Sequence, residues 1–194
     1  NFQEVKWIEN LETHIACRVV EDPITNEIIV SFRGSSSMKN VKQDLDYMQM
    51  NHDMCPSEVD PLFDHLDCFQ AARARKQSVM VHRGFFNAYL SIREELLQIL
   101  PTYIKDDSVV YCCGHSLGGA LATFLAVDVA LFFQKNKLKG GVHLSSFGCP
   151  RVGNFAFTSR VRKMVPTIHR FCVGGDPVVC CFCHLNVKLT KNPN

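Results

Sequence analysis

The sequence has no surplus of charge of either sign. Its 194 residues carry 21 Lys and Arg against 19 Asp and Glu, a formal net charge of +2. It has no basic stripe interleaved with aromatics, which argues against nucleic acid as a partner. The short run Arg73-Ala74-Arg75-Lys76 reads as a solvated loop or helix face. A long hydrophobic run is missing as well. The most apolar stretch, Ala120 to Phe133, spans 14 residues and contains Asp128. A bilayer-crossing helix needs about 20 apolar residues, so a buried core helix is expected there and no transmembrane span. No secretory leader is visible and the chain starts at Asn1, which leaves a mature form or a piece of a longer protein open. No internal repeat or low-complexity segment is present.

Cysteine, by contrast, is plentiful, with ten in the chain. Several fall in expected strands, where Cys acts as a small hydrophobe. Cys55 and Cys68 lie in a polar stretch and are the best-placed pair for a disulfide. The segment Cys180-Cys181-Phe182-Cys183-His184 has metal-binding residue types. No second C-x-x-C pair stands at zinc spacing, so no metal is expected. Cysteine usage does not fix the compartment. Nearly half of the residues are apolar, enough for one sizeable core in one domain over residues 1–194.

Along the chain, strand and helix patterns alternate. Thr13 to Val20 and Glu27 to Arg33 are strand-like and joined by a turn-rich connection, hence a hairpin. Asn40 to Met48 has helix-compatible spacing. Met50 to Gln77 is polar and irregular and reads as an inserted surface loop with room for a short helix. Gly84 to Leu100 is amphipathic at helical spacing and is followed by Pro101. Then come a strand over Ser108 to Cys113, an apolar helix from Gly119 to Phe133, a strand over Val142 to Phe147, a helix over Asn154 to Met164 and a strand over Thr167 to Val173. Strands separated by helices require crossover connections, and therefore a mostly parallel sheet with flanking helices, an α/β fold.

The segment Gly114-His115-Ser116-Leu117-Gly118 sits between the Ser108 strand and the Gly119 helix. Strand, G-x-S-x-G and helix in that order form a nucleophile elbow, whose turn is too tight for a Cβ beside the serine. The helix amides then face any oxyanion that develops above Ser116. A chance match of so short a pattern is the alternative, and the flanks argue against it.

Four further segments accompany the elbow in order. They are Ile28-Ile29-Val30-Ser31-Phe32-Arg33-Gly34-Ser35-Ser36-Ser37, Val81-His82-Arg83-Gly84-Phe85-Phe86, Phe147-Gly148-Cys149-Pro150-Arg151-Val152-Gly153-Asn154 and Gly175-Asp176-Pro177-Val178. Together the five segments, over about residues 11 to 180, resemble the class 3 lipases, the fungal triacylglycerol-lipase branch of the α/β-hydrolase fold. The resemblance implies roles residue by residue. Ser35 and the Leu117 amide would form the oxyanion hole; for Ser35 a helix N-cap is the alternative. Ser36 to Asp44 would be the lid, or else an ordinary surface helix. Its only apolar residues are Met38 and Val41, so little apolar area, worth roughly 25 cal/mol per Å², is available to drive opening at an interface. His82 and His115 would be structural, and Pro150 to Asn154 would shape a loop near the site. Asp176 would be the triad acid, with a turn aspartate in Gly174-Gly175-Asp176-Pro177 as the alternative.

The base is the open position. Only His184 follows Asp176, in Cys183-His184-Leu185. The chain is therefore a fragment lacking the base segment, uses His184 in a rearranged loop, or is a lipase-like protein without hydrolysis. Asp64-His65-Leu66 precedes the nucleophile and breaks the Ser…Asp…His order. The resemblance implies a lipid ester substrate, with acylglycerols first and phospholipids or small esters next, met at a membrane or lipid-droplet surface. An inactive binding domain is the alternative from another class. No cofactor is expected, and a secreted or lipid-surface setting is favoured.

Overall fold

The computed structural model describes residues 1–34, 54–56 and 79–173. Three antiparallel strands come first: β1 (Gln3–Asn10), β2 (Ile15–Asp22) and β3 (Glu27–Phe32). A short strand β4 (Met54–Pro56) pairs antiparallel with β5 (Met80–His82). Then follow α1 (Arg83–Tyr103), β6 (Val109–His115), α2 (Leu117–Asn136), β7 (Gly141–Phe147), α3 (Phe155–Met164) and β8 (Thr167–Phe171). The main sheet has the order β1-β2-β3-β6-β7-β8, and β3, β6, β7 and β8 run parallel.

That order fixes where the helices lie. From β3 to β8 each parallel strand is added on the same side of its predecessor. Right-handed crossovers then place α1, α2 and α3 on one face of the sheet. Strand burial agrees. Val110, Cys112 and Gly114 of β6 are buried, alternating with half-buried Val109, Tyr111 and Cys113. The register aligns Val30, Cys112, Leu144 and Ile168 into one row under the helices.

α2 is the central helix of that layer. It is apolar all round, as a helix packed on every side must be. Among the described residues it is the one helix long and apolar enough to cross a membrane, yet 78% of its most apolar window is buried inside the protein. Asp128 on it is buried too. Its carboxylate accepts from Tyr89 Oη at 2.5 Å, Arg93 Nε at 2.7 Å and Arg93 Nη2 at 2.9 Å. Tyr89 and Arg93 lie one turn apart on α1, so this cluster ties α1 to α2. Burial first, then the neighbouring Asp128 charge, pushes the Tyr89 hydroxyl well above its ordinary pKa.

Three elements differ from the sequence expectation. Residues 3–10 form β1, an edge strand in which only Ile8 is buried and whose pairing slips between Glu4 and Lys6. Three residues of the Met50–Gln77 stretch form β4 rather than loop. α1 runs through Pro101 to Tyr103, beyond the expected end at Leu100. Proline costs a helix its donor and crowds the preceding turn. Here it falls in the last turn, which still closes with Ile104 N–H donating to the Leu100 carbonyl at 3.1 Å. The Asn40–Met48 helix, the Cys55–Cys68 pair, the Ser36–Asp44 lid, the Asp64-His65-Leu66 segment and the Cys180–His184 cluster lie outside the described residues.

Candidate active site

Ser116 stands at the carboxyl end of β6 and caps α2 with φ 54° and ψ −122°. An L-residue rarely takes such a backbone, and it costs on the order of 1–3 kcal/mol. The surrounding contacts enforce it. The Ser116 amide donates to the Phe147 carbonyl at 2.9 Å, while its own carbonyl accepts from Gly119 at 3.0 Å and Ala120 at 3.4 Å. Its side chain makes no capping hydrogen bond. Ser116 Oγ thus has no capping role and stands at a partly exposed position.

The flanking glycines are required by close approach. A Cβ on Gly114 would lie 2.4 Å from the Gly118 carbonyl carbon and oxygen. A Cβ on Gly118 would lie 2.6 Å from the Phe32 carbonyl oxygen and 3.1 Å from that of Arg33. The elbow is therefore wedged between the first turn of α2 and the end of β3. Leu117 opens α2, and no carbonyl of the described residues accepts its amide hydrogen. An amide in that position is free to hold a developing anion.

The chain leaving β3 is anchored beside the elbow. Arg33 N–H donates to the Ala16 carbonyl at 2.9 Å, and its guanidinium reaches Glu9 Oε1 at 2.9 Å and the His14 carbonyl at 3.0 Å. These bonds hold Gly34 against the site. A Cβ there would lie 3.0 Å from the His115 carbonyl oxygen. Ser35, the next residue, lies outside the described residues, as do Asp176 and His184. β8 ends in line with the elbow. Phe171 stacks on Phe147 at 4.8 Å between ring centroids, and the Gly148 amide donates to the Phe171 carbonyl at 2.8 Å. The ends of β3, β6, β7 and β8 thus meet at one edge, the usual location of a ligand site in an open parallel sheet.

His82 and Asn154 make packing and backbone contacts. The His82 ring packs on Phe85 at 4.3 Å and its amide donates to the Val152 carbonyl at 2.8 Å. His115 is exposed at the end of β6. Asn154 caps α3 by accepting from Phe157 N–H at 2.9 Å, and it also accepts from Met80 N–H at 3.3 Å. Sequence reasoning gave no role to Phe147, whose carbonyl holds the Ser116 amide, although it lies in the quoted Phe147–Asn154 segment. Nor did it find the Tyr89–Arg93–Asp128 cluster, for which the one-turn spacing of Tyr89 and Arg93 was the available signal.

Residues 29–184 match the sequence profile of the family described as lipase (class 3). The chain is 30% identical over 151 residues to a secreted mono- and diacylglycerol lipase of Malassezia restricta, covering 76% of this chain and 44% of that protein. It is 35% identical over 108 residues to a chloroplastic phospholipase A(1) of Arabidopsis thaliana, covering 52% of this chain and 23% of that one. Among solved structures it resembles a lipase from Rhizopus microsporus var. chinensis, with a TM-score of 0.65 and 26% identity over 88% of this chain and 53% of that chain. The chain thus spans about half the length, or less, of these relatives.

Proposed function

The chain belongs to the class 3 lipase family, with its α/β-hydrolase fold, and from that premise we propose that it is a serine hydrolase cleaving carboxylic esters of lipids, acylglycerols foremost. The observation that carries the proposal is the backbone of Ser116, held at φ 54° and ψ −122° between Gly114 and Gly118 with its side chain making no capping hydrogen bond. A fold accepts such strain where a side chain must be presented for chemistry.

In this reading Ser116 Oγ attacks the ester carbonyl while a histidine takes its proton. Asp176 orients that histidine and stabilises the imidazolium. The Leu117 amide and Ser35 hold the oxyanion. Collapse of the tetrahedral intermediate expels the alcohol with the proton returned by the histidine, and water then releases the acid. Support for Ser35 is the seating of Gly34 against the elbow. Support for Asp176 is the end of β8 beside β7, five residues earlier. His184 is the candidate base within the chain. The reading takes residues 1–194 as one domain and needs no metal or organic cofactor.

A lipid surface is the proposed setting, because Phe147, Phe171 and Val173 are exposed at the edge of the sheet where Ser116 stands. The secreted fungal relative supports a secreted protein. Phospholipid cleavage is the second reading, favoured by the similarity to the plant phospholipase.

The test is labelling of the folded chain by a fluorophosphonate beside a Ser116→Ala control, followed by hydrolysis of diacylglycerol and phosphatidylcholine in mixed micelles. Labelling confined to the parent chain supports an activated serine with a working base. Absence of labelling in folded protein would overturn the hydrolase reading for this chain in favour of a lipase-like binding domain or a fragment lacking its base. The two substrates separate the two readings.

A further inference from the structure

A cavity lies between α3 and the floor made by β7 and β8. Its volume is about 70 Å³. The floor is set by register. Leu144 pairs with Ile168 and Ser146 with Arg170, so these four side chains share the helix-covered face. Phe157, Val161 and Arg162 of α3 form the roof, and neither Ser116 nor Leu117 lines the cavity. Its mouth is marked by Phe155, 64% exposed.

The polarity of the wall is one-sided. Arg151, Arg162 and Arg170 line it, and among the described residues no acidic one does. None of the three has an ion-pair partner among the described residues. Two are pinned by backbone carbonyls. Arg170 Nη2 donates to Cys149 at 2.6 Å and Arg151 Nε donates to Gly153 at 3.0 Å. Arg170 Nε is buried with no hydrogen-bond acceptor. The adjacent thiol supplies no counter-charge, because burial pushes Cys149 up to about 12. A half-buried guanidinium without an anion is a costly arrangement that an arriving carboxylate would relieve.

We propose that this cavity binds the carboxylate of a small anionic amphiphile, a fatty-acid-type carboxylate, with its head on Arg170 and Arg151 in the field of the Arg162 charge and its tail running out past Val161 and Phe155. The occupant follows from charge and shape. Three cations and, among the described residues, no acid select an anion, and the walls from Leu144, Val152, Phe157, Val161 and Ile168 select an apolar tail. The space holds a headgroup and the first carbons, since about 10–15 Å³ of such space already holds one water. The proposal does not depend on ester hydrolysis by this chain.

The experiment is titration of the full chain with octanoate, and separately with 1-octanol, followed by methyl NMR of Leu144, Val152, Val161 and Ile168, with Leu117 reporting on the elbow. The expected result is saturable shifts at the first four with octanoate and none with octanol. Arg170→Gln should weaken binding about tenfold, the equivalent of one charge-assisted hydrogen bond. Arg162→Gln, an exposed position whose loss the fold tolerates, should weaken it about threefold. The Arg162 variant decides the matter if Arg170→Gln does not fold. No shift at these methyls up to roughly 10 mM, equal response to octanol, shifts confined to Leu117, or affinity unchanged in Arg162→Gln would each overturn the proposal.

Discussion

Two polar groups on α2 are treated in opposite ways. At its head, Ser116 is backbone-strained and its hydroxyl is left without a capping role. Further along, Asp128 is 6% exposed in its side chain and accepts three hydrogen bonds from Tyr89 and Arg93. The second arrangement is what a fold does with a polar group it must bury: both carboxylate oxygens are answered, because an unanswered one costs more than a made bond gains. The first is the arrangement expected of a group presented for chemistry, as proposed for Ser116. One helix therefore carries both a spent polar group and a reserved one, and the state of their hydrogen bonds tells them apart better than residue type does.

That contrast can be tested from both sides. Ser116→Ala should lower ester turnover by about 10³-fold or more while leaving the free energy of unfolding within about 0.5 kcal/mol of the parent; a large loss of stability would mean that the hydroxyl is structural after all. Asp128→Ala should do the reverse. It strands the Arg93 guanidinium and the Tyr89 hydroxyl, costing about 3 kcal/mol in urea unfolding, while fluorophosphonate labelling of the folded fraction persists. Gly118→Ala should cost about 2 kcal/mol, since its Cβ meets the Phe32 carbonyl at 2.6 Å, and it should also erase labelling. Ser116→Gly removes the strain and should raise the thermal midpoint by about 2–4 °C, the counterpart of about 1 kcal/mol, with activity gone; a fall in midpoint would remove strain from the account.

The smallest effect is alkaline. Burial raises the Cys17 and Cys149 thiols to about 12 from an ordinary 9.0 and raises Cys112 and Tyr89 in the same sense. The folded state holds protons that the unfolded chain gives up near pH 9. Their contribution is complete below that value and drains as pH climbs toward 12. Thermal midpoints measured from pH 7 to 11 should be flat with respect to these groups until about pH 9 and then decline.

The elbow and its flanking elements were legible because each level of the sequence agrees there: an apolar strand, a glycine-bracketed serine and an apolar helix. β6, α2, β7 and α3 fall close to where the patterns put them. β1 escaped because its period of two is broken by the slip between Glu4 and Lys6, and because an edge strand covered in charge shows little alternation. β4 is three residues long, too short to carry a pattern. The end of α1 was misplaced by reading Pro101 as a stop, when proline in a last turn removes only one donor. At the site, Ser116 was visible from local residues alone. The role of Phe147 was not, because it depends on which strand lies beside β6.

That last dependence has a bearing on how the molecule comes together. The Ser116 amide is answered by Phe147, an atom supplied only when β7 has docked alongside β6. Gly118 rests on the carbonyl of Phe32, supplied by β3 on the other side. The turn is thus not a property of its own five residues. It is clamped by strands that arrive from far along the chain in both directions, and during synthesis it can acquire its final shape only after Phe147 has emerged. The elbow geometry at this serine is a late event in assembly, and a half-made chain carries the motif without it.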